Sequence, residues 1–387
     1  MVSTLKHIVI CTQQFNNYWS GLGAYSIHLT KGLVKSGMQV TVVSPGDSMD
    51  TEGIDFITVS PSKYDLLHGG WYSLSYAYAE VIKTINADLI HFTDARESYA
   101  YKGHIPTIGT LHDYYFARHN WNPVYYKYDY VDWIKRWLYY SFGTLTERKA
   151  LRRLTGLTAN SKATAETVSK AYNIPSEKIK TIYLGLDLEC VSIDDQLEEE
   201  RLQRPKLLLI GSNVQRKGLP VILKTMPELI KEIPGVTLQV IGENQNISRM
   251  KKLADKLGVM EYVEFMGWVP PQKIITFYRK ASIFVMPSLM EGFGLVFLEA
   301  MAQGLPVIGG NVGGTAELIK DGENGFLVNP GDIETLGEKI RLLLVNLNLR
   351  RLLIKNGYYT VQKYSANKMV NNTIELYDKL LHEEEIE

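Results

Sequence analysis

Short apolar runs alternate along this chain with longer stretches of helical period. "HIVIC", His7 to Cys11, reads as a first strand. A glycine loop, Gly21-Leu22-Gly23, follows, and then "AYSIHLTKGLVKSG". There Tyr25, Leu29 and Leu33 recur at helical spacing up to a stop at Gly37. "QVTVVS", "DLIHFTD", "IPTIGTLHD" and "GLTANS" are further strands, the middle two with polar residues at their C-terminal ends. The second half repeats the logic. "KLLLIGS" is a strand, "VILKTMPELIKEI" a helix, and "TLQVIGE", "VEFMGWV", "SIFVMPS" and "LPVIGG" are strands with helices between them. Strand–helix alternation predicts parallel sheets with helices on both faces. It occurs twice, so the expected fold is α/β, with two doubly wound Rossmann-like domains.

The seam falls between Asp187 and Lys206, a stretch that holds seven acids, including Glu198-Glu199-Glu200, and ends at Pro205. It reads as a solvated linker. The expected division is a first domain over 1–186, a linker over 187–205 and a second domain over 206–365. Ligands of open parallel sheets bind outside the C-terminal ends of the strands. Two such domains imply a central cleft as the site, lined by residues just after the strands.

Composition mainly excludes. The 387 residues suffice for two cores. Lys plus Arg and Asp plus Glu are both 42, and this zero balance disfavours a nucleic-acid partner. Cys11 and Cys190 stand in unlike contexts, so neither a disulfide framework nor a metal cluster is expected, which fits a reducing compartment. "HIVIC" is too short for a signal core, and no run approaches the ~20 apolar residues of a spanning helix. The expected location is cytoplasmic, with any membrane contact peripheral, on the inner face.

Two stretches carry the candidate chemistry. "GSNVQRKGLP" follows a strand and opens a helix, with Arg216 and Lys217 at the helix start. Cations there are disfavoured by about 0.3–1 kcal/mol, a sign that a bound polyanion reverses. Arg offers a fork to phosphate oxygens and Lys a point charge; two solvated basic residues are the other reading. "PSLMEGFGLVFLEAMAQG" sets Glu291 in a glycine turn and Glu299 in the following helix, expected from about Leu295 to Gln303 with Gly304 as its stop. First-turn amides of Phe293, Gly294, Leu295 and Val296 form an anion site. Carboxylates accept from hydroxyls, so Glu291 and Glu299 could hold sugars on either side of a diphosphate. The alternative is two helix-face glutamates, although Leu295, Val296, Leu298 and Met301 surround Glu299 with apolar groups. In the first half, "WSGLGAY" lacks the third glycine of a dinucleotide fingerprint. "TLHDYY" places His112 at a strand end, as a hydroxyl partner or a structural histidine.

Together these residues resemble the retaining glycosyltransferases of family 4, the glycosyl transferases group 1 family, with a GT-B fold. "GSNVQRKG", "VEFMGWVP" and "YRKASIFVMPSLMEGFGLVFLEAMAQGLPVIGGNVGGTAELIKDGENGFLV" follow its pattern, with Glu291 and Glu299 as its E-x7-E element. "GLGAYSIHLTKGLVKSG", "TLHD", "TANSKAT" and "IYLGLD" carry the match through the first half, and Gly37-Met38 stands where members often read Gly-His. The resemblance implies a hexosyl transfer from a nucleotide-diphospho-sugar, UDP- or GDP-linked, to a glycan, lipid-linked or small-molecule hydroxyl, in cell-envelope polysaccharide or glycolipid biosynthesis. It implies that Arg216 and Lys217 neutralise the diphosphate and that Glu299 binds the ribose. Glu291 and the amides of Gly292, Phe293, Gly294 and Leu295, with Val296 beside them, hold the sugar. His112 contacts that sugar, the backbone at Met266 and Gly267 reads the base, and Gly21 and Gly23 allow close approach to the diphosphate. It further implies front-face displacement, no metal or other cofactor, and a C-terminal helix near 366–387 that packs back on the first domain. A nucleotide-sugar epimerase of the same architecture, or a non-catalytic sugar-binding protein, is the alternative.

"YYFARHNWNPVYYKYDYVDWIKRWLYYSF", Tyr114 to Phe142, holds 13 of the chain's 41 aromatics. Three readings stay open for it: a lipid-linked acceptor or membrane surface, a sugar acceptor, or the first domain's own core.

Overall fold

The structure is a computed structural model that describes residues 7–15, 21–46, 52–61, 70–114, 116–117, 133–191, 195–242 and 247–384. The chain forms two compact units, Met1–Asp187 with Ser365–Glu387, and Leu188–Tyr364.

The first unit runs β1 (His7–Cys11), α1 (Gly21–Lys35), β2 (Gln39–Ser44), β3 (Ile54–Thr58), α2 (Trp71–Ile82), β4 (Leu89–Phe92), β5 (Thr107–Leu111), α3 (Trp133–Arg153), β6 (Gly156–Ala159), α4 (Lys162–Tyr172) and β7 (Ile179–Thr181). Its seven strands are ordered β3-β2-β1-β4-β5-β6-β7, all parallel. β4, β5 and β6 are buried at every position. Helices cover both faces of such a sheet, so its strands read as continuous apolar runs rather than alternating ones. β3 escapes that pattern because it is an edge strand that stays partly exposed.

The second unit runs α5 (Asp195–Gln203), β8 (Lys206–Ile210), α6 (Leu219–Glu232), β9 (Thr237–Ile241), α7 (Ile247–Lys256), β10 (Val263–Gly267), α8 (Pro271–Lys280), β11 (Ile283–Met286), α9 (Leu295–Ala302), β12 (Val307–Gly310), α10 (Thr315–Leu318), β13 (Phe326–Val328), α11 (Ile333–Val345) and α12 (Leu347–Lys363). The parallel strand order is β10-β9-β8-β11-β12-β13. On α6, Leu219, Ile222, Leu223, Met226 and Leu229 form the apolar stripe that joins β8 and β9 in the core. The final helix, α13 (Ala366–Glu384), returns to the first unit.

The acid-rich seam is corrected. Residues 195–203 form a docked helix, not a solvated linker. Glu198 is buried and accepts from Arg201 Nη1 at 2.9 Å and from Arg350 Nε at 2.9 Å. Arg201 also caps the carbonyls of Gly304 and Gln303. Two arginines neutralise the one glutamate that points inward, while Glu199 and Glu200 stay exposed.

Candidate functional site

The strand order decides which loops meet. In the second sheet the order reverses between β8 and β11, and ligands bind beyond the C-terminal ends of strands at such a point. The loop after β8 carries Arg216 and Lys217, and the loop after β11 carries Glu291. Lys217 Nζ donates to Glu291 Oε2 at 2.5 Å, across 74 positions of sequence. Ser288 Oγ donates to the same oxygen at 3.4 Å. Arg216 Nη1 donates to the Met290 carbonyl at 2.9 Å, and the Leu289 amide donates to the Arg216 carbonyl at 2.8 Å. Gly218 permits this approach: its φ is +89°, and a Cβ there would lie 2.2 Å from the Pro287 carbonyl oxygen.

Burial alone would push the Glu291 carboxyl up. The Lys217 and Arg216 charges outweigh it and hold the group below the usual carboxylate range. Burial pushes the Lys217 ammonium below its ordinary value. The result is a buried ion pair at the base of a loop cluster.

Just beyond, Gly294 (φ +96°) starts α9 with no side-chain cap. The helix opens four residues after Glu291, so an oxygen-rich ligand there would meet first-turn amides at Leu295 and Val296. Gly292 and Phe293 are buried in the turn, and Phe293 packs edge-on against Tyr364. Glu299 is half-buried on α9, and Tyr278 of α8 donates its hydroxyl to Glu299 Oε2 at 2.7 Å. Burial pushes the Glu299 carboxyl up, with the Tyr278 bond opposing. Met266 and Gly267 end the edge strand β10 at a register shift, with Met266 40 % exposed. The Gly267 carbonyl already accepts from the Gly242 amide at 2.8 Å.

In the first unit, Gly21 and Gly23 lie inside the first turn of α1, not in a loop before it, and Gly23 is buried. The chain takes helical geometry from Gly21 onward; residues 16–20, including the start of the quoted loop, lie outside the described residues. His112 follows β5. Its Nε2 lies 2.8 Å from the Thr93 carbonyl oxygen, which can only accept. Nε2 therefore carries the proton and Nδ1 presents a lone pair. Burial pushes the His112 pKa down, so the ring is neutral at neutral pH and can accept a hydroxyl proton but not donate one from Nδ1. The Asn160 amide holds the His112 carbonyl at 2.7 Å, and Tyr25 packs edge-on to the ring at 4.9 Å.

Sequence reasoning missed the groups that hold these residues. Tyr278 is one, since a tyrosine inside "YRKAS" carries no signal of its partner 21 positions away. A second is Arg96, gripped by Asp94 through Nε at 2.8 Å and Nη2 at 2.6 Å, with Asp113 Oδ2 at 3.5 Å. Burial would raise the Asp94 carboxyl, but Arg96 holds it below its ordinary value. "TDAR" directly after a strand was the available signal. Of the aromatic segment, residues 115 and 118–132 lie outside the described residues. Tyr114 and Phe116 are buried, and Phe116 packs on Tyr139 and Tyr140, so this part belongs to the first unit's core. Among the described residues no helix is long and apolar enough to cross a membrane.

Comparison with known proteins agrees with this architecture. The family model Glycosyltransferase Family 4 matches residues 19–190, and Glycosyl transferases group 1 matches residues 192–360. The solved structure of WaaG, a glycosyltransferase involved in lipopolysaccharide biosynthesis, has a TM-score of 0.74 at 20% identity, covering 96% of this chain and 99% of that one. The structure of Anabaena HepE in complex with UDP and glucose has a TM-score of 0.73 at 19% identity, with 96% and 99% covered. These likenesses establish the GT-B class of fold. In sequence, a GDP-mannose-dependent alpha-(1-6)-phosphatidylinositol monomannoside mannosyltransferase of Mycolicibacterium smegmatis is 28% identical over 51% of this chain and 56% of its own length. The chain spans about half the length of the curated relatives it matches. With both halves matched, the chain belongs to the glycosyl transferases group 1 (family 4) glycosyltransferases.

Proposed function

We propose that the chain is a retaining glycosyltransferase that moves a hexosyl group from a UDP- or GDP-sugar to a hydroxyl acceptor. The observation that carries the reading is the Lys217–Glu291 pair at the β8/β11 reversal, beside the uncapped start of α9. One cation and one carboxylate there match the two ends of a sugar diphosphate. Lys217 and Arg216 take the diphosphate. Glu291 and the amides of Gly292 to Leu295 take hydroxyls of the sugar. Glu299, oriented by Tyr278, takes the ribose, and the peptide at Met266 meets the base. His112 accepts a bond from a hydroxyl of the transferred sugar through Nδ1. The bound UDP of the Anabaena structure supports a nucleotide donor.

In the front-face route, the bond from the anomeric carbon to the phosphate oxygen breaks and its electron pair stays on that oxygen. The acceptor oxygen bonds the same face of the carbon, and its proton passes to the departing phosphate oxygen. Arg216 and Lys217 stabilise the charge that develops there, so the step needs no metal. The acceptor is proposed to be a glycan or lipid-linked sugar of the cell envelope, as the mannosyltransferase relative's name supports. A peripheral membrane contact fits the exposed Tyr76, Phe142 and Leu145 beside Arg148, Lys149 and Arg152. The test is nucleotide release from UDP-glucose and GDP-mannose in EDTA, with the anomeric configuration of the product read by NMR. Release in EDTA with retention is expected. An inverted product, or strict dependence on a divalent cation, contradicts the reading.

A further inference from the structure

A chain of buried hydrogen bonds runs from the returning helix α13 to Tyr25, whose ring edge contacts His112. Tyr377 of α13 places its hydroxyl 2.5 Å from His91 Nδ1 on β4. His91 Nε2 lies 2.7 Å from Thr110 Oγ1 on β5. Thr110 is also 2.9 Å from the Tyr25 hydroxyl of α1 and 2.7 Å from Thr158 Oγ1 on β6. Tyr25 in turn lays its ring edge against the His112 ring. Tyr377, His91, Thr110, Thr158 and Tyr25 are all buried, so water cannot replace a lost partner.

The chemistry makes this chain directional. A neutral imidazole donates from one nitrogen and accepts at the other. The Thr110 hydroxyl has one proton and two lone pairs, and its three neighbours saturate it. When Tyr377 donates to Nδ1, Nε2 must donate to Thr110, and the remaining bonds to Tyr25 and Thr158 are set by what Thr110 has left. Burial, with His112 nearby, pushes the His91 pKa down to about 3, so a charged imidazolium does not interrupt the pattern. Deleting the Tyr377 hydroxyl strands a ring nitrogen in a closed interior. The ring must then turn or change tautomer, and Thr110 and Tyr25 must re-pair.

We infer that Tyr377 is a positioning residue for His112, acting through His91, Thr110 and Tyr25. The helix that returns to the first unit thereby sets the His112 ring, in addition to closing the core. This inference rests on the sugar-binding role proposed for His112.

The test compares Tyr377→Phe with Met369→Ala in the full chain. Met369 is buried on the same helix but belongs to no part of the hydrogen-bond chain. Imidazole proton–nitrogen NMR spectra resolve the eight histidines, with His112→Ala and His91→Gln for assignment. Tyr377→Phe is expected to move the ring signals of both His91 and His112, while Met369→Ala lowers the melting temperature and leaves those of His112 in place. An unmoved His112 in Tyr377→Phe overturns the inference. Nucleotide release from UDP-glucose or GDP-mannose gives the second readout. Tyr377→Phe should lower kcat roughly 10-fold with KM unchanged, since a small misplacement of a contacting group is enough for that, and should add no loss to His112→Ala. Additive losses overturn the inference. His112→Ala with an undiminished rate overturns the role of His112 itself, whereas a full rate in Tyr377→Phe beside a crippled His112→Ala overturns only the relay. Thr110→Val breaks the same chain between His91 and Tyr25 without touching α13 and replaces Tyr377→Phe if that variant fails to fold.

Discussion

Replacing Lys217 with methionine removes the cation that neutralises Glu291 and keeps most of the side-chain volume. Lys217 and Glu291 are 12% and 10% exposed at their side chains, so solvent screens the pair weakly. Breaking a buried pair by removing one partner costs about 3–5 kcal/mol, because the other charge is left uncompensated. The pH dependence identifies the cause. In the wild type the Glu291 carboxyl lies below its unfolded value, so it contributes stability above that value, lost only as pH falls through the depressed folded pKa. Without Lys217 only the Arg216 charge and the Ser288 bond still oppose burial, so the folded pKa moves up and is expected to pass the unfolded one. Glu291 then opposes folding at neutral pH, and the penalty shrinks as acid protonates it. Lys217→Met should therefore be far less stable than wild type at neutral pH and recover part of the difference near about pH 5. Lys217→Met with Glu291→Gln should regain most of the loss at neutral pH, since both charges are gone. The assay is thermal and urea unfolding of the three proteins at both pH values. Equal destabilisation at the two pH values, or a double variant worse than the single one, would refute the argument that the pair governs this loop cluster.

Three further outcomes are expected. Tyr278→Phe leaves Glu299 without its donor, and the loss of about 1–1.5 kcal/mol should raise the donor KM roughly 10-fold with kcat little changed, read from steady-state kinetics. Glu147 is buried against the Tyr172 hydroxyl, and burial raises its pKa from 4.5 to about 8. The folded state keeps that proton while the unfolded state releases it, so stability should fall as pH rises from 4.5 to about 8, and Glu147→Gln should flatten this slope in melting curves. Gly218→Ala forces a side chain into a φ of +89° and against the Pro287 carbonyl. It should destabilise by about 1–3 kcal/mol and weaken nucleotide binding in calorimetry, because it pushes apart the loops that carry Lys217 and Glu291.

How far the sequence disclosed this protein depends on the range of each interaction. Strands such as "HIVIC" and "KLLLI" were legible because both their faces are buried, which makes each a continuous apolar run. β3 was not legible because it is a half-exposed edge strand, and β7 and β13 because three residues carry no period. Glu291, Glu299, Arg216 and Lys217 could be chosen because each stands just after a strand or early in the following helix. That Lys217 would meet Glu291 could not be read, since it depends on β8 lying beside β11. The acid-rich seam misled for the same reason. Glu198 looks solvated until Arg350, 152 positions downstream, is brought against it. Tyr278 was invisible as a partner because nothing local marks a tyrosine as serving a carboxylate 21 positions away, whereas Arg96 grips Asp94 two positions before it, a pairing that "TDAR" did signal.

The central claim is that the second unit binds a nucleoside diphosphate sugar through Lys217, Arg216, Glu291 and Glu299 without a metal. The most direct measurement is the thermal shift of the full chain with UDP, GDP and ADP, and with their sugar conjugates, in EDTA. A ligand that binds only the folded state stabilises it by about 2.7 kcal/mol at 100 times its dissociation constant. One nucleotide series should raise the melting temperature in EDTA, and Glu299→Ala and Arg216→Ala should each reduce that rise. A chain that ignores every one of these nucleotides, but is stabilised by NADH or by a free sugar alone, would contradict the account.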